Sequence, residues 1–246
     1  MASDPLQQFV VTDLFAKNVL AEGEFMSPFA FTNSSLWMIL LLVTVSGFLL
    51  YGIRRHALVP GRWQSLVELS YEFIANMLSE NVGAAGRKYF PFVFTLFMFV
   101  FFGNMLGMLP YSFTVTSHII VTFALSMAVF ILVTVIGLVK HGTHFFSLFL
   151  PEGTPLWMAP IMIPIEIISY LSRPMSLSIR LAANMMAGHA MLKVIAGFIF
   201  GLGLFGIFPL GFVMVLIVFE LLVAFLQAYI FTILTCVYLS DAIHLH

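Results

Sequence analysis

The sequence predicts an all-α integral membrane protein with five transmembrane helices and one interfacial amphipathic helix. The last two spans are long and tilted and form an antiparallel hairpin. Three observations carry this prediction. The 246 residues are 61% hydrophobic and only 9% charged, with a mean hydropathy of +1.08. A soluble domain carries about a quarter charged residues, so this chain lacks the polar atoms to cover a globule in water. Five apolar stretches reach the roughly 20 residues that a helix needs to cross a bilayer. Lys and Arg gather in alternate connections between those stretches, as in a membrane-threaded chain.

The elements follow in order. Residues 1–35 hold Asp4, Asp13, Glu22 and Glu24 against a single Lys17. No basic region precedes an apolar core there, so a cleaved signal peptide is not expected; the segment reads as extracytoplasmic. Residues 36–246 form one membrane domain. Its first span is 36–53. Residues 61–83 differ: Trp63, Leu66, Val67, Phe73, Ile74, Met77 and Leu78 recur at helical spacing, with Glu68, Glu72, Asn76 and Glu80 on the other face. That pattern predicts a helix lying at the cytoplasmic interface, with packing on a soluble partner as the alternative. The second span is 89–109 and the third 118–139. The stretches 160–200 and 208–240 exceed one perpendicular crossing, so they tilt, kink or lie partly at the interface. Pro160, Pro164 and Pro174 favour irregularity in the former. Gly201, Gly203, Gly206 and Pro209 mark a turn between them.

Orientation follows from the basic residues. Arg54, Arg55, Arg62, Arg87 and Lys88 lie between spans one and two, and Lys140 follows span three. These loops are expected in the cytoplasm, which places the N-terminus outside and the C-terminus inside.

Composition excludes several functions. A net charge of −1 makes no electrostatic case for nucleic acid. The single Cys236 permits no intrachain disulfide and no cysteine-built metal site. There is no phosphate-binding glycine-rich loop, so any ATP chemistry belongs to another chain, and no cofactor is implied.

The informative residues are the ionisable ones in the hairpin: Glu166, Arg173, Arg180, His189, Lys193, Glu220 and Asp241, with Asn184 and Gln227 as neutral polar groups. Charge at membrane depth is expensive and marks ion pathways. Residues equidistant from the turn face each other in an antiparallel pair. Arg180 and Gln227 share a midpoint near Gly203, and so do His189 and Glu220. Glu166 then lies opposite Asp241 and His244. Three polar levels are expected: His189–Glu220 nearest the outside, Arg180–Gln227 in the middle, and Glu166–Asp241–His244 nearest the cytoplasm. At about 100° per residue, Ser176, Arg180, Ala183, Asn184 and Ala187 share a face that another helix could approach closely.

Arginine stays protonated at physiological pH, so Arg180 can hold a carboxylate ionised and obstruct a proton but cannot relay one. Histidine and carboxylate can exchange protons near neutrality. Titratable groups on either side of a permanent cation suggest two partial proton paths that do not meet. A structural pair of Arg180 with Glu166 or Glu220 is the plainer alternative. Arg173 reads either as snorkelling to the interface or as functional, Lys193 is expected to snorkel outward, His118 to sit at an interface, and His141 and His144 to lie on the surface. His244 and His246 read either as an exposed tail or as lining a water path. Asn104 either hydrogen-bonds between helices or lines the outer path.

The run from Ser172 to His189, reading SRPMSLSIRLAANMMAGH, closely resembles the signature of subunit a of F-type ATP synthases. The run from Glu220 through Leu239 looks like that family's last helix, and Gly103 to Pro110 fits its second span. The resemblance covers the chain from about residue 36 onward. It implies two long reclined helices curving around a rotor ring of c subunits, each bearing one membrane carboxylate, with b-type peripheral-stalk subunits as further partners. It implies proton transport coupled to ATP synthesis. It makes Arg180 the essential cation, flanked by Asn184 and Gln227, with His189 and Glu220 in the outer half-channel and Glu166 and Ser176 on the cytoplasmic side. Some relatives carry the acid and the histidine the other way round. A bacterial inner membrane is expected, with the mitochondrial inner membrane as the alternative. A secondary proton-coupled transporter is the competing reading, but it calls for internal repeats, whereas charge here is confined to the last two spans.

Overall fold

A computed structural model describes residues 32–54, 60–109, 112–142, 144–145, 158–201 and 203–244 of the chain. Most of the N-terminal segment expected to be extracytoplasmic, and His246, lie outside them. Among the described residues the fold is all-helical, with six α-helices: α1 (Asn33–Ile53), α2 (Arg62–Val82), α3 (Phe90–Gly107), α4 (Ile119–His141), α5 (Ala159–Gly201) and α6 (Ile207–Ile243). All but α2 are long and apolar enough to cross a membrane.

Local chemistry sets the helix ends. The Thr32 hydroxyl accepts from the Ser35 amide at 3.3 Å and caps α1. Pro91 opens α3, where its missing N–H costs nothing. Lys140 and His141 end α4, where positive charge suits the exposed carbonyls. A 3-10 turn, Gly203–Gly206, reverses the chain between α5 and α6, and Gly203 takes the left-handed φ of 54° that the reversal needs.

The amphipathic pattern of α2 is realised from Val67 onward, whereas Trp63 and Leu66, expected on its apolar face, are exposed. Val67, Ile74, Met77, Leu78 and Val82 are buried, while Glu68, Glu72, Asn76 and Glu80 are exposed. The helix lays its buried face on α1, α3 and α6. The core continues through Val93, Leu96 and Phe97 of α3, Val129 and Val133 of α4, Leu177 and Leu181 of α5, and Phe231 and Leu239 of α6.

The α5 helix is 43 residues and continues through Pro164 and Pro174 without a break. At 1.5 Å per residue it measures roughly 65 Å, about twice the hydrocarbon thickness, so no perpendicular crossing accommodates it. Its buried residues, including Tyr170, Pro174, Leu177, Leu181, Met185 and His189, recur every three or four positions. Ser176, Arg180, Ala183, Asn184 and Ala187 consequently lie on the exposed face.

Candidate functional site

The site is built on the antiparallel contact between α5 and α6, backed by α3. His189 of α5 and Glu220 of α6 are both buried, and Nδ1 of the imidazole is hydrogen-bonded to Oε1 of the carboxylate. On the other side of the ring, Nε2 lies 2.9 Å from the Gly107 carbonyl at the end of α3. A carbonyl can only accept, so Nε2 carries a hydrogen and Nδ1 is the nitrogen that shares one with Glu220. Gly188 makes the contact possible: a Cβ there would sit 2.7 Å from Glu220 Oε1. Glu220 Oε2 is buried without a partner. Glu220 also lines a cleft of about 250 Å³ between the halves of α5 and α6 nearest the Gly203–Gly206 turn, together with Asn184, Ala187, Gly188 and Val223.

One turn from Glu220, the Ala224 carbonyl accepts from Asn104 Nδ2 of α3 at 3.2 Å. The helix-to-helix bond expected of Asn104 therefore exists, yet its Oδ1 stays buried and unpartnered. Gln227 follows on α6, buried at 2% exposure. Its Oε1 accepts from Asn184 Nδ2 at 3.3 Å, and its Nε2 has no partner.

Here the structure corrects the expected register. Asn184, not Arg180, faces Gln227. The partner of Gln227 lies one helical turn along α5 from Arg180, toward the Gly203–Gly206 reversal. Arg180 is exposed instead, and makes no hydrogen bond or ion pair among the described residues. The structural pair with Glu166 or Glu220 is not formed. Ser176 lies one turn away on the same exposed face.

The level expected to hold Glu166, Asp241 and His244 is also rearranged. Asp241 Oδ2 accepts from Arg173 Nη1 at 3.1 Å. The guanidinium sits over the rings of Tyr170 and Tyr238, at 5.3 and 5.0 Å from their centroids. Arg173 thus turns inward rather than snorkelling, because a carboxylate and two aromatic faces are within reach. Tyr170 in turn donates to Thr134 of α4 at 2.7 Å. Glu166 lies two turns nearer the start of α5, half-buried and without an ion pair among the described residues, and His244 is exposed at the end of α6.

Three histidines and two lysines complete the inventory. His141, expected on the surface, is half-buried and lies 3.2 Å from the Ile243 carbonyl, beside Lys140 Nζ at 3.0 Å. The two tie the end of α4 to the end of α6. His144 and Lys193 are exposed. His118 stacks on Phe113, with its Nε2 buried. Gly188, the Gly107 carbonyl and the Arg173–Asp241 pair escape the sequence reading. A small residue beside an ionisable one was the visible signal for the first.

The profile of the ATP synthase A chain family matches residues 35–240. ATP synthase subunit a of Rhodospirillum rubrum is 54% identical over 243 residues, covering 98% of this chain and 99% of that protein. The subunits a of Paramagnetospirillum magneticum and Parvibaculum lavamentivorans are 52% and 53% identical, over 99% and 98% of this chain and 100% and 94% of theirs. With five apolar helices and a charged hairpin matched along nearly its whole length, this integral membrane chain belongs to the ATP synthase A chain family, subunit a of the ATP synthases.

Proposed function

We propose that this subunit translocates protons through two offset half-paths that meet a rotating ring of c subunits on the exposed α5–α6 face, coupling proton-motive force to ATP synthesis. The observation that carries the reading is the split between the two polar systems. The His189–Glu220 pair is buried, while Arg180 stands exposed on the opposite face of α5 without an anion of its own. A permanent cation at membrane depth calls for a partner, and a ring carboxylate passing this face would supply one.

Protons enter from outside to His189 and Glu220, pass Asn104, Gln227 and Asn184, and reach the ring carboxylate through the cleft beside Glu220. Arg180 holds that carboxylate ionised as it crosses between the half-paths and bars a direct leak. Ser176, Glu166, Asp241 and His244 serve the cytoplasmic half. The small residues around Arg180 let a ring helix approach closely. The N-terminus is outside and the C-terminus cytoplasmic, in a bacterial inner membrane, with b-type subunits holding the chain against rotation.

The deciding experiment is Arg180→Ala in the complete complex in sealed vesicles. ATP hydrolysis should persist while ATP-driven proton pumping disappears. Normal coupled pumping would overturn the reading.

A further inference from the structure

Connections between helices usually run over the surface, since buried loop backbone must find partners. The connection from α3 to α4 does the opposite. Ser112, Thr114, Thr116 and Ser117 are 9, 2, 1 and 1% exposed. Burying four hydroxyls is costly unless each is used. Ser112 and Thr114 donate to the Gly107 carbonyl at 2.8 and 3.2 Å, and Ser117 donates to the Thr114 carbonyl at 2.6 Å. The Gly107 carbonyl is also the group to which His189 donates, so the loop shares an acceptor with the titratable pair.

Five buried side-chain atoms lack a partner among the described residues. Three of them, on Asn104, Glu220 and Gln227, belong to the outer half-path already proposed. The other two are Thr116 Oγ1 and His118 Nε2. Thr116 packs on Gly103, the neighbour of Asn104, with its Cγ2 3.2 Å from where a Cβ of Gly103 would sit. The His118 ring lies flat on Phe113, centroids 4.8 Å apart and planes at 18°. The residue as a whole is half-buried, whereas its Nε2 is fully buried. An imidazole can take a proton on one nitrogen and release one from the other.

We infer that His118 and Thr116 extend the outer half-path, His118 being the group that collects protons from the outer water and Thr116 lying between it and the Asn104–Glu220 region. This rests on the proton-path reading above. The step makes and breaks only N–H and O–H bonds: a proton adds to neutral His118, leaves from its other nitrogen, and ends on the His189–Glu220 pair. The loop packs on α1, α3, α4 and α5. The titratable side chains of α1 and α4 (Tyr51, Lys140 and His141) lie at their far ends, and α3 has none. His189 and Lys193 of α5 are the titratable groups brought to this end.

The test is proton flux from the outer side through the complete complex in vesicles, as a function of outer pH, with His118→Gln, His118→Glu and His189→Gln in parallel. His118→Gln should slow entry severalfold and remove a histidine-like step from the pH profile. His118→Glu should restore flux, with the step displaced to lower pH. Wild-type flux and profile in His118→Gln beside a slow His189→Gln would overturn this inference and leave the proton-path reading standing. Wild-type behaviour of both would overturn the two together. Independently, Thr116→Val in the assembled complex should slow flux from the outer side severalfold, and wild-type flux in that variant would overturn the role of Thr116.

Discussion

His189 and Glu220 share a hydrogen bond across the α5–α6 contact, with the far side of the imidazole held by the Gly107 carbonyl. Each residue is fixed by the other, and the two positions face each other across the hairpin. Glu220→Leu would leave a buried imidazole without its acid, and His189→Leu a buried carboxylate without its base. Stranding one member of a buried pair costs about 3–5 kcal/mol when it stays charged, so each single variant should lose most proton flux. The exchange His189→Glu with Glu220→His should recover part of it. A double variant no better than either single one, with the subunit still present in the complex, would show that the pair is not interchangeable.

Gly188 separates packing from chemistry. An alanine there gains helix propensity of about 1 kcal/mol over glycine, but its Cβ would meet Glu220 Oε1 at 2.7 Å. Gly188→Ala should assemble normally and conduct poorly. The check is flux per assembled complex, and unchanged flux would mean that Glu220 can move aside without consequence.

The Arg173–Asp241 pair calls for a double-mutant cycle. Its side chains are 23% and 41% exposed, so the ion pair itself contributes only about 0.2–1 kcal/mol. The two aromatic faces add about 0.5–1 kcal/mol each at such exposure. Arg173→Gln should therefore destabilise the subunit more than Asp241→Asn, with a small coupling energy, read as thermal dissociation of the complex. Equal losses would assign the effect to the ion pair alone.

Asn184 donates to Gln227 at the edge of the exposed face. Asn184→Ala removes one hydrogen bond, worth about 0.5–1.5 kcal/mol, and leaves Gln227 with neither amide atom paired. Flux should fall by roughly tenfold or less on that figure, while Arg180→Ala should abolish coupled pumping. An Asn184 variant as inactive as Arg180→Ala would give Asn184 a role beyond positioning.

Much of the fold was legible because each property has a local cause. Apolar length places the spans, glycines mark the reversal at Gly203–Gly206, and alternation of apolar and acidic residues marks α2. The His189–Glu220 contact was legible too, since the Gly203–Gly206 reversal is centred on that pair. Farther from the turn the same arithmetic failed. Gln227 met Asn184 instead of Arg180, and Asp241 met Arg173 instead of Glu166. Local pattern does not set the offset between two helices; the shape of the turn and the packing of Leu177, Leu181, Phe231 and Leu239 into one core do.

The sequence by itself determined that this chain lives in a membrane, that its last two helices form the charged hairpin, and that Arg180 is the residue whose cost demands an explanation. Tertiary structure decided which groups meet. It turned Arg180 out to the exposed face and left it unpaired, folded Arg173 in between two tyrosines, and buried the loop 112–118 against the titratable pair. The reason is physical: helical periodicity decides which residues share a face, but only the packing of one helix on another decides what that face meets.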